Sequence, residues 1–367
     1  MIEDKKSLRV LSIDGGGMRG VYSSTYLSVL AKQLARRRNI NNLDNLDVGK
    51  AFDLIVGTSS GGILACALAA GIPLDKVSNL YSEHGQEIFP MKMPDSLKVT
   101  NLIKLLCWSK HLAQGNETLK QVLEEQFADM TLGQVYNDRG IALAIPAIEM
   151  SQHRSWVFKT SHLGGHRDDD FRLVDVCLAT SAAPLYRSMA RVGDPTTPGH
   201  NYVFVDGGLW ANNPILVGMI DAIQMTKPGD RIEIFSLGTY PRPPGDIFDA
   251  GDMHRGPVGW KFGGEVVMTA LDAQGFAYDN MADMLAKHVK RDCSIVHFPQ
   301  GDLPAKGMPY LDLDETDKKA TQMLINQAQN DAFLALSVYA RATDNNIDTL
   351  VELLKDIPTV TKQEKTE

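Results

Sequence analysis

Cysteine is scarce in this 367-residue chain: Cys66, Cys107, Cys177 and Cys293 stand far apart, with no C-x-x-C pair. That spacing fits thiols buried in apolar surroundings in a reducing compartment better than a disulfide framework. No run of about 20 apolar residues is present, as a membrane-spanning helix would need. Behind Met1-Ile2-Glu3-Asp4-Lys5-Lys6 there is no apolar stretch of a secretory leader. A soluble, cytoplasmic protein is expected, which would meet any lipid at the inner membrane surface. Histidines and acids never gather at metal-ligand spacing. The nearest imitation, His162-Leu163-Gly164-Gly165-His166 with Asp168-Asp169-Asp170, reads as a solvated turn, so no metal and no other cofactor is expected. Positive charge is outnumbered, 37 Lys and Arg against 45 Asp and Glu, for a net −8. That balance argues against a DNA or RNA duplex as partner. The basic run Arg36-Arg37-Arg38 closes a predicted helix, where the dipole favours cations. There is no internal repeat.

What is present is an apolar content of 44%, enough for a full core. The length fits an α/β core over residues 1–240 and a largely helical extension over 241–367, packed on the core and regulatory in role. Leu8 to Ile13 alternates and is β-rich; a helix follows through about Arg38, with Leu27, Leu30 and Leu34 at helical spacing. Phe52 to Val56 is a second strand, and Pro73 to Val77 opens another helix. Residues 84–115 read as irregular; their apolar cluster Leu102 to Trp108 suits a lid or membrane-touching segment as well as a core helix. Ile141 to Ile145, Ser155 to Lys159, Tyr202 to Val205 and Ile232 to Leu237 read as strands. The Gly- and Pro-rich stretch 240–310 takes no assignment. Thr316 to Arg341 reads as a long helix, and the polar tail after Pro358 as frayed. Strands separated by helices predict a three-layer α/β/α fold with a mostly parallel central sheet.

Three glycine-rich signals fall at predicted strand ends. Gly57-Thr58-Ser59-Ser60-Gly61 lies between a strand and the small-residue run Gly62 to Ala67. Strand, sharp turn and helix in that order are the context of a G-x-S-x-G nucleophile elbow, with Gly57 and Gly61 permitting the turn and Ser59 at its tip. Asp14-Gly15-Gly16-Gly17-Met18-Arg19-Gly20 ends the first strand. It also spells G-x-G-x-x-G, on which a dinucleotide-binding oxidoreductase reading rests. The elbow on the next strand favours a backbone amide cradle for an oxyanion instead. Asp206-Gly207-Gly208 follows the strand Tyr202 to Val205 and points a carboxylate at the C-terminal crevice of the sheet. Neither late histidine, His288 nor His297, sits on a glycine-flanked loop. The base expected for Ser59 is therefore Asp206, in a two-residue dyad.

Together with Ala179-Thr180-Ser181-Ala182-Ala183-Pro184 and Ala211-Asn212-Asn213-Pro214, these motifs resemble the patatin-like phospholipase family over residues 8–240. The resemblance implies a patatin-like catalytic core related in fold to cytosolic phospholipase A2, and a Ser–Asp dyad lipid acyl hydrolase acting on membrane phospholipid. It assigns Ser59 as nucleophile, Asp206 as base, and Gly15, Gly16 and Gly17, with Arg19 nearby, as the oxyanion loop. Gly207 and Gly208 form the turn behind the base. Leu311-Asp312-Leu313-Asp314-Glu315-Thr316-Asp317 and the helix after it are similar to bacterial patatin-like effectors of anti-phage signalling. That likeness implies activation by a cyclic oligonucleotide, and a gated enzyme of this kind is expected to form a homo-oligomer. A constitutive housekeeping lipase or esterase is the alternative.

Overall fold

The computed structural model describes residues 7–37, 39, 43–92, 107–239, 253–257, 259–298, 300–301, 311–339, 353 and 357–359. The predicted segment 102–106 and most of the tail after Pro358 lie outside these. Eight strands form one sheet in the order β5-β6-β3-β2-β1-β7-β8, with β4 on the other edge of β3. They are β1 (Ser7–Ile13), β2 (Leu54–Gly57), β3 (Ala142–Glu149), β4 (Arg154–Lys159), β5 (Ala190–Gly193), β6 (Asn201–Asp206), β7 (Arg231–Leu237) and β8 (Asp292–His297). The helices are α1 (Gly20–Arg37), α2 (Ser60–Ala70), α3 (Leu74–Ile88), α4 (Trp108–Phe127), α5 (Leu132–Arg139), α6 (Leu173–Thr180), the single turn α7 (Gly208–Ala211), α8 (Ile215–Met225), α9 (Gly264–Ala286) and α10 (Lys318–Tyr339).

Successive strand residues point to opposite faces, and the central strands show it. Leu11, Ile13, Ile55, Leu143, Ile145, Phe235 and Leu237 enter one core, under α1 to α4, α6 and α10. Leu8, Val10, Leu54, Val56, Ala142, Ala144, Ile232 and Ile234 enter the other, under α8 and the end of α9. Two apolar faces demand two helical layers, so the arrangement is the α/β/α sandwich that the strand spacing predicts. Pairing is parallel across β3-β2-β1-β7-β8 and antiparallel for β3 with β4 and β6 and for β5 with β6. None of the helices searched among the described residues is long and apolar enough to cross a membrane.

Several expectations are corrected. Residues 84–115 are not uniformly irregular, since α3 runs to Ile88 and α4 begins at Trp108. The unassigned stretch 240–310 contains a 23-residue helix, α9, while its strand-like run Ser294 to Phe298 falls on the parallel strand β8. Periodicity misses α9 because Phe276, Met281 and Met284 are exposed, which blurs its polar face. Cys66 and Cys177 are buried, but Cys107 is exposed and Cys293 only half-buried. His288, whose flanking sequence reads as an exposed helix position, follows the end of α9.

His162 does not sit in a solvated turn. Its side chain is fully buried, with Nε2 3.2 Å from Asp221 Oδ2 and Nδ1 2.8 Å from Thr160 Oγ1. Lys159 Nζ donates to the same Asp221 carboxylate at 2.6 Å. Removing one partner of a buried pair strands the other charge. Lys159 keeps 32% of its side chain in water, which discounts the effect. Asp221→Ala should therefore lose about 2–3 kcal/mol in denaturant unfolding; an unchanged midpoint would show the cluster to be idle.

Candidate active site

The C-terminal ends of β2 and β6 meet head-on, and that meeting builds the site. On β3, β4 occupies one edge from Ala144 to Glu149, so β2 and β6 share the other. β2 climbs it in parallel to the pair Val56–Ala144, while β6 descends antiparallel to the pair Ala147–Asp206. Between them lies Pro146, which has no N–H to offer either strand. Its carbonyl instead accepts the Thr180 hydroxyl at 2.7 Å, and Thr180 Oγ1 accepts the Ser59 N–H at 3.0 Å. Thr180, at the end of α6, thereby fixes the gap between Ser59 and Asp206.

Ser59 occupies the corner between β2 and α2 at φ 55° and ψ −125°, a strained conformation for a residue with a Cβ. The corner closes so tightly that a Cβ at Gly57 would strike the Gly61 carbonyl, and one at Gly61 the Ile13 and Asp14 carbonyls. Asp206 is 5% exposed; its Oδ1 accepts the Gly208 N–H at 2.7 Å, and its carboxyl also meets the Ser59 hydroxyl. Burial raises the Asp206 pKa to about 7, against the opposing pull of Gly208, Ser59 and Arg187. A carboxyl held there ionises near neutrality and is a stronger base than an ordinary aspartate.

The glycine-rich loop divides its labour. The Gly15 N–H donates to the Asn212 carbonyl at 2.9 Å and the Gly16 N–H to Ser60 Oγ at 3.1 Å. Gly17 turns through φ 56°, and Met18 N–H donates to the Leu313 carbonyl at 2.9 Å. Gly16 and Gly17 line the cleft beside Ser59. Gly15 and Arg19 shape the loop instead: Arg19 is buried, and its Nε approaches the Gly16 carbonyl at 3.4 Å. Gly207 lies against the Pro146 carbonyl, which leaves no space there for a side chain. Gly20, the last glycine of the G-x-G-x-x-G string, packs against the start of α2, where a Cβ would meet Ser60 Cβ at 2.8 Å.

The cleft beside Ser59 is narrow and is walled by Ile63, Ile88, Phe89, Leu119, Leu271 and Leu313. No histidine is among the described residues lining it; His297 lies on β8. Among the described residues no group of three or more His, Cys, Asp or Glu side chains is placed to hold a metal ion. An activated hydroxyl, an acid poised near neutrality and an apolar slot together suit acyl transfer on an ester with a long hydrocarbon chain.

The family pattern described as Patatin-like phospholipase matches residues 11–219. This chain belongs to that family. Among relatives of the patatin-like chain is the cGAMP-activated phospholipase of Escherichia coli (strain TW11681), 31% identical over 291 residues, 76% of each chain. The cGAMP-activated phospholipase of Vibrio cholerae serotype O1 is 28% identical over 352 residues, 90% of this chain and 94% of that one. Among solved structures, VipD from Legionella pneumophila covers 88% of this patatin-like chain and 67% of its own, at 11% identity and a TM-score of 0.34.

Motif reading picks out Ser59, Asp206 and the glycines of this patatin-like site. It leaves Thr180, Asn212 and Leu313 without roles, although Thr180 and Asn212 stand inside the two smaller motifs. Their roles depend on hydrogen bonds across more than 100 positions of sequence, which spacing does not encode.

Proposed function

We propose that this protein is a cytoplasmic phospholipase that releases ester-linked fatty acids from membrane glycerophospholipids by a Ser59–Asp206 dyad, gated by a cyclic oligonucleotide in antiviral defence. The observation that carries the reading is Ser59, held at a strained corner against a buried Asp206 beside an apolar cleft. Asp206 takes the Ser59 proton as the oxygen attacks the ester carbonyl. The amides of Gly17 and Ser60 hold the tetrahedral oxyanion, each such donor supporting roughly 10² to 10³ in turnover, while the Gly16 N–H braces the loop on Ser60 Oγ. The intermediate collapses as Asp206 returns the proton to the departing lyso-lipid oxygen. Water then gives Asp206 a proton, attacks the acyl-serine and frees the fatty acid, and Ser59 is reprotonated.

The gate is supported by the two relatives named as cGAMP-activated phospholipases. Residues 1–240 serve as catalytic core and 241–367 as regulatory extension, a division favoured by the Leu313 carbonyl on the Met18 amide of the oxyanion loop. Assembly into a homo-oligomer is the accompanying proposal, since gating by a small ligand readily acts through subunit contacts. The test is fatty-acid release from phospholipid vesicles at the inner-membrane lipid composition, with and without cGAMP and other cyclic di- and trinucleotides. Release that requires a ligand is expected. Equal release without one would make this a constitutive lipase, and none under any condition would sink the reading.

A further inference from the structure

The cleft beside Ser59 is apolar along most of its wall, and Arg187 is a cation set into it. Arg187 is 6% exposed and sits on the turn after α6, its backbone N–H donating to the Ala183 carbonyl at 2.8 Å. A guanidinium carries five N–H donors. Here Nη2 donates to Asn116 Oδ1 at 3.3 Å, while Nε is buried without a partner. The Phe89 ring lies 5.7 Å from Cζ, which attracts the charge but accepts no N–H in the plane of the fork.

Arginines with structural roles in this protein are paired differently. Arg139 donates Nε to the Ala69 carbonyl and Nη2 to both Asp47 oxygens at 2.7 and 2.9 Å. Arg19, equally buried, has Asp14, Asp272 and Asp312 around it. The acid within electrostatic reach of Arg187 is Asp206, whose own burial leaves it partly protonated near neutrality. Burial lowers the Arg187 pKa to about 10, so it stays cationic there. A buried cation with an open fork and a half-ionised neighbour is complementary to an anion entering the cleft.

We infer that Arg187 recognises the phosphodiester of the lipid substrate, taking its non-bridging oxygens with Nε–H and the unused donors while an acyl chain lies along the apolar wall. This rests on the phospholipase reading above and adds a selection to it: phosphate-bearing glycerolipids over neutral glycerides. Arg187 is thus a specificity-determining residue, distinct from the dyad and from the oxyanion loop.

The experiment compares phosphatidylglycerol with diacylglycerol of the same acyl chains in mixed micelles, with cGAMP present, for wild type, Arg187→Gln and Arg187→Lys. The phospholipid-to-diacylglycerol ratio of kcat/KM should fall roughly 30-fold or more in Arg187→Gln, with the lysine variant between it and wild type. A ratio within about threefold of wild type would overturn the inference, because a merely structural arginine lowers both rates together. A second measurement needs no variant. Glycerophosphocholine should inhibit diacylglycerol hydrolysis by the wild type competitively, where glycerol does not. No inhibition, or inhibition matched by inorganic phosphate with the lipid ratio unaltered, would count against a lipid phosphodiester site. If the wild type hydrolyses neither lipid, it is the phospholipase reading that fails.

Discussion

Asp206→Asn will lower kcat by roughly 10⁴-fold, the order seen when one member of a catalytic set is removed, while making the protein harder to unfold above neutral pH. Asparagine keeps an oxygen for the Gly208 N–H, so the turn behind β6 survives, but it accepts no proton from Ser59. Ser59→Ala should lose activity to a similar extent. The stability gain follows from the sign of the Asp206 shift. Its folded pKa, about 7, lies above its ordinary 3.8. The stability this group contributes is therefore fully present below about pH 4 and is lost as pH rises through 7. Above that, holding the buried carboxylate costs roughly 4 kcal/mol, which the asparagine variant does not bear. Urea midpoints at pH 5 and pH 8 should thus show a larger gain for the variant at pH 8. In the wild type, kcat/KM should rise with pH around a midpoint near 7. A variant that turns over like the wild type, or one that gains nothing at pH 8, would remove Asp206 as the buried base.

Gly61→Ala should damage both stability and turnover. The new Cβ would press on the carbonyls of Ile13 and Asp14, which are backbone atoms with little room to shift. Overpacking of that kind costs roughly 2–3 kcal/mol. The same two residues end β1 and begin the glycine-rich loop, so their displacement moves the loop amides beside Ser59, which the proposed mechanism uses as oxyanion donors. A loss of about 10²-fold in kcat is expected on top of the thermal shift. Gly165→Ala is the control: nothing lies within 4 Å of its added Cβ, and a change within about 0.5 kcal/mol is expected. Equal effects at the two positions would show that the corner at Ser59 is not tightly packed against β1.

Much of this architecture is legible in the linear chain because the central strands carry unmixed signals. β1, β2 and β7 are apolar on both faces, and each stops at a glycine-rich or small-residue turn. β5 is invisible, being four residues long with alternate residues exposed. Pro146 makes β3 appear to end at Ile145, whereas the strand continues to Glu149 because β4 and β6 pair with it past the proline, whose carbonyl Thr180 takes up. Extended reading through a proline needs knowledge of a side chain 34 positions away. The elbow and Asp206 are legible because each is a local turn with obligatory glycines. Arg187 is not, because an arginine in sequence reads as surface and its burial comes from α4 and Phe89 closing over it.

The contact between Leu313 and the glycine-rich loop bears on how the protein is made. Domains tend to fold N-terminal part first during synthesis, so Ser59 and Asp206 emerge from the ribosome long before α10. Until α10 is in place, α1 lacks Asp331, which accepts the Tyr22 hydroxyl at 2.7 Å, and the apolar face carrying Ala328 and Ala332. The Met18 amide likewise waits for its acceptor at residue 313. A nascent chain therefore carries Ser59 without a finished loop beside it. Translation order thus sets the completion of that loop by the arrival of residue 313, far later than the strands that carry it.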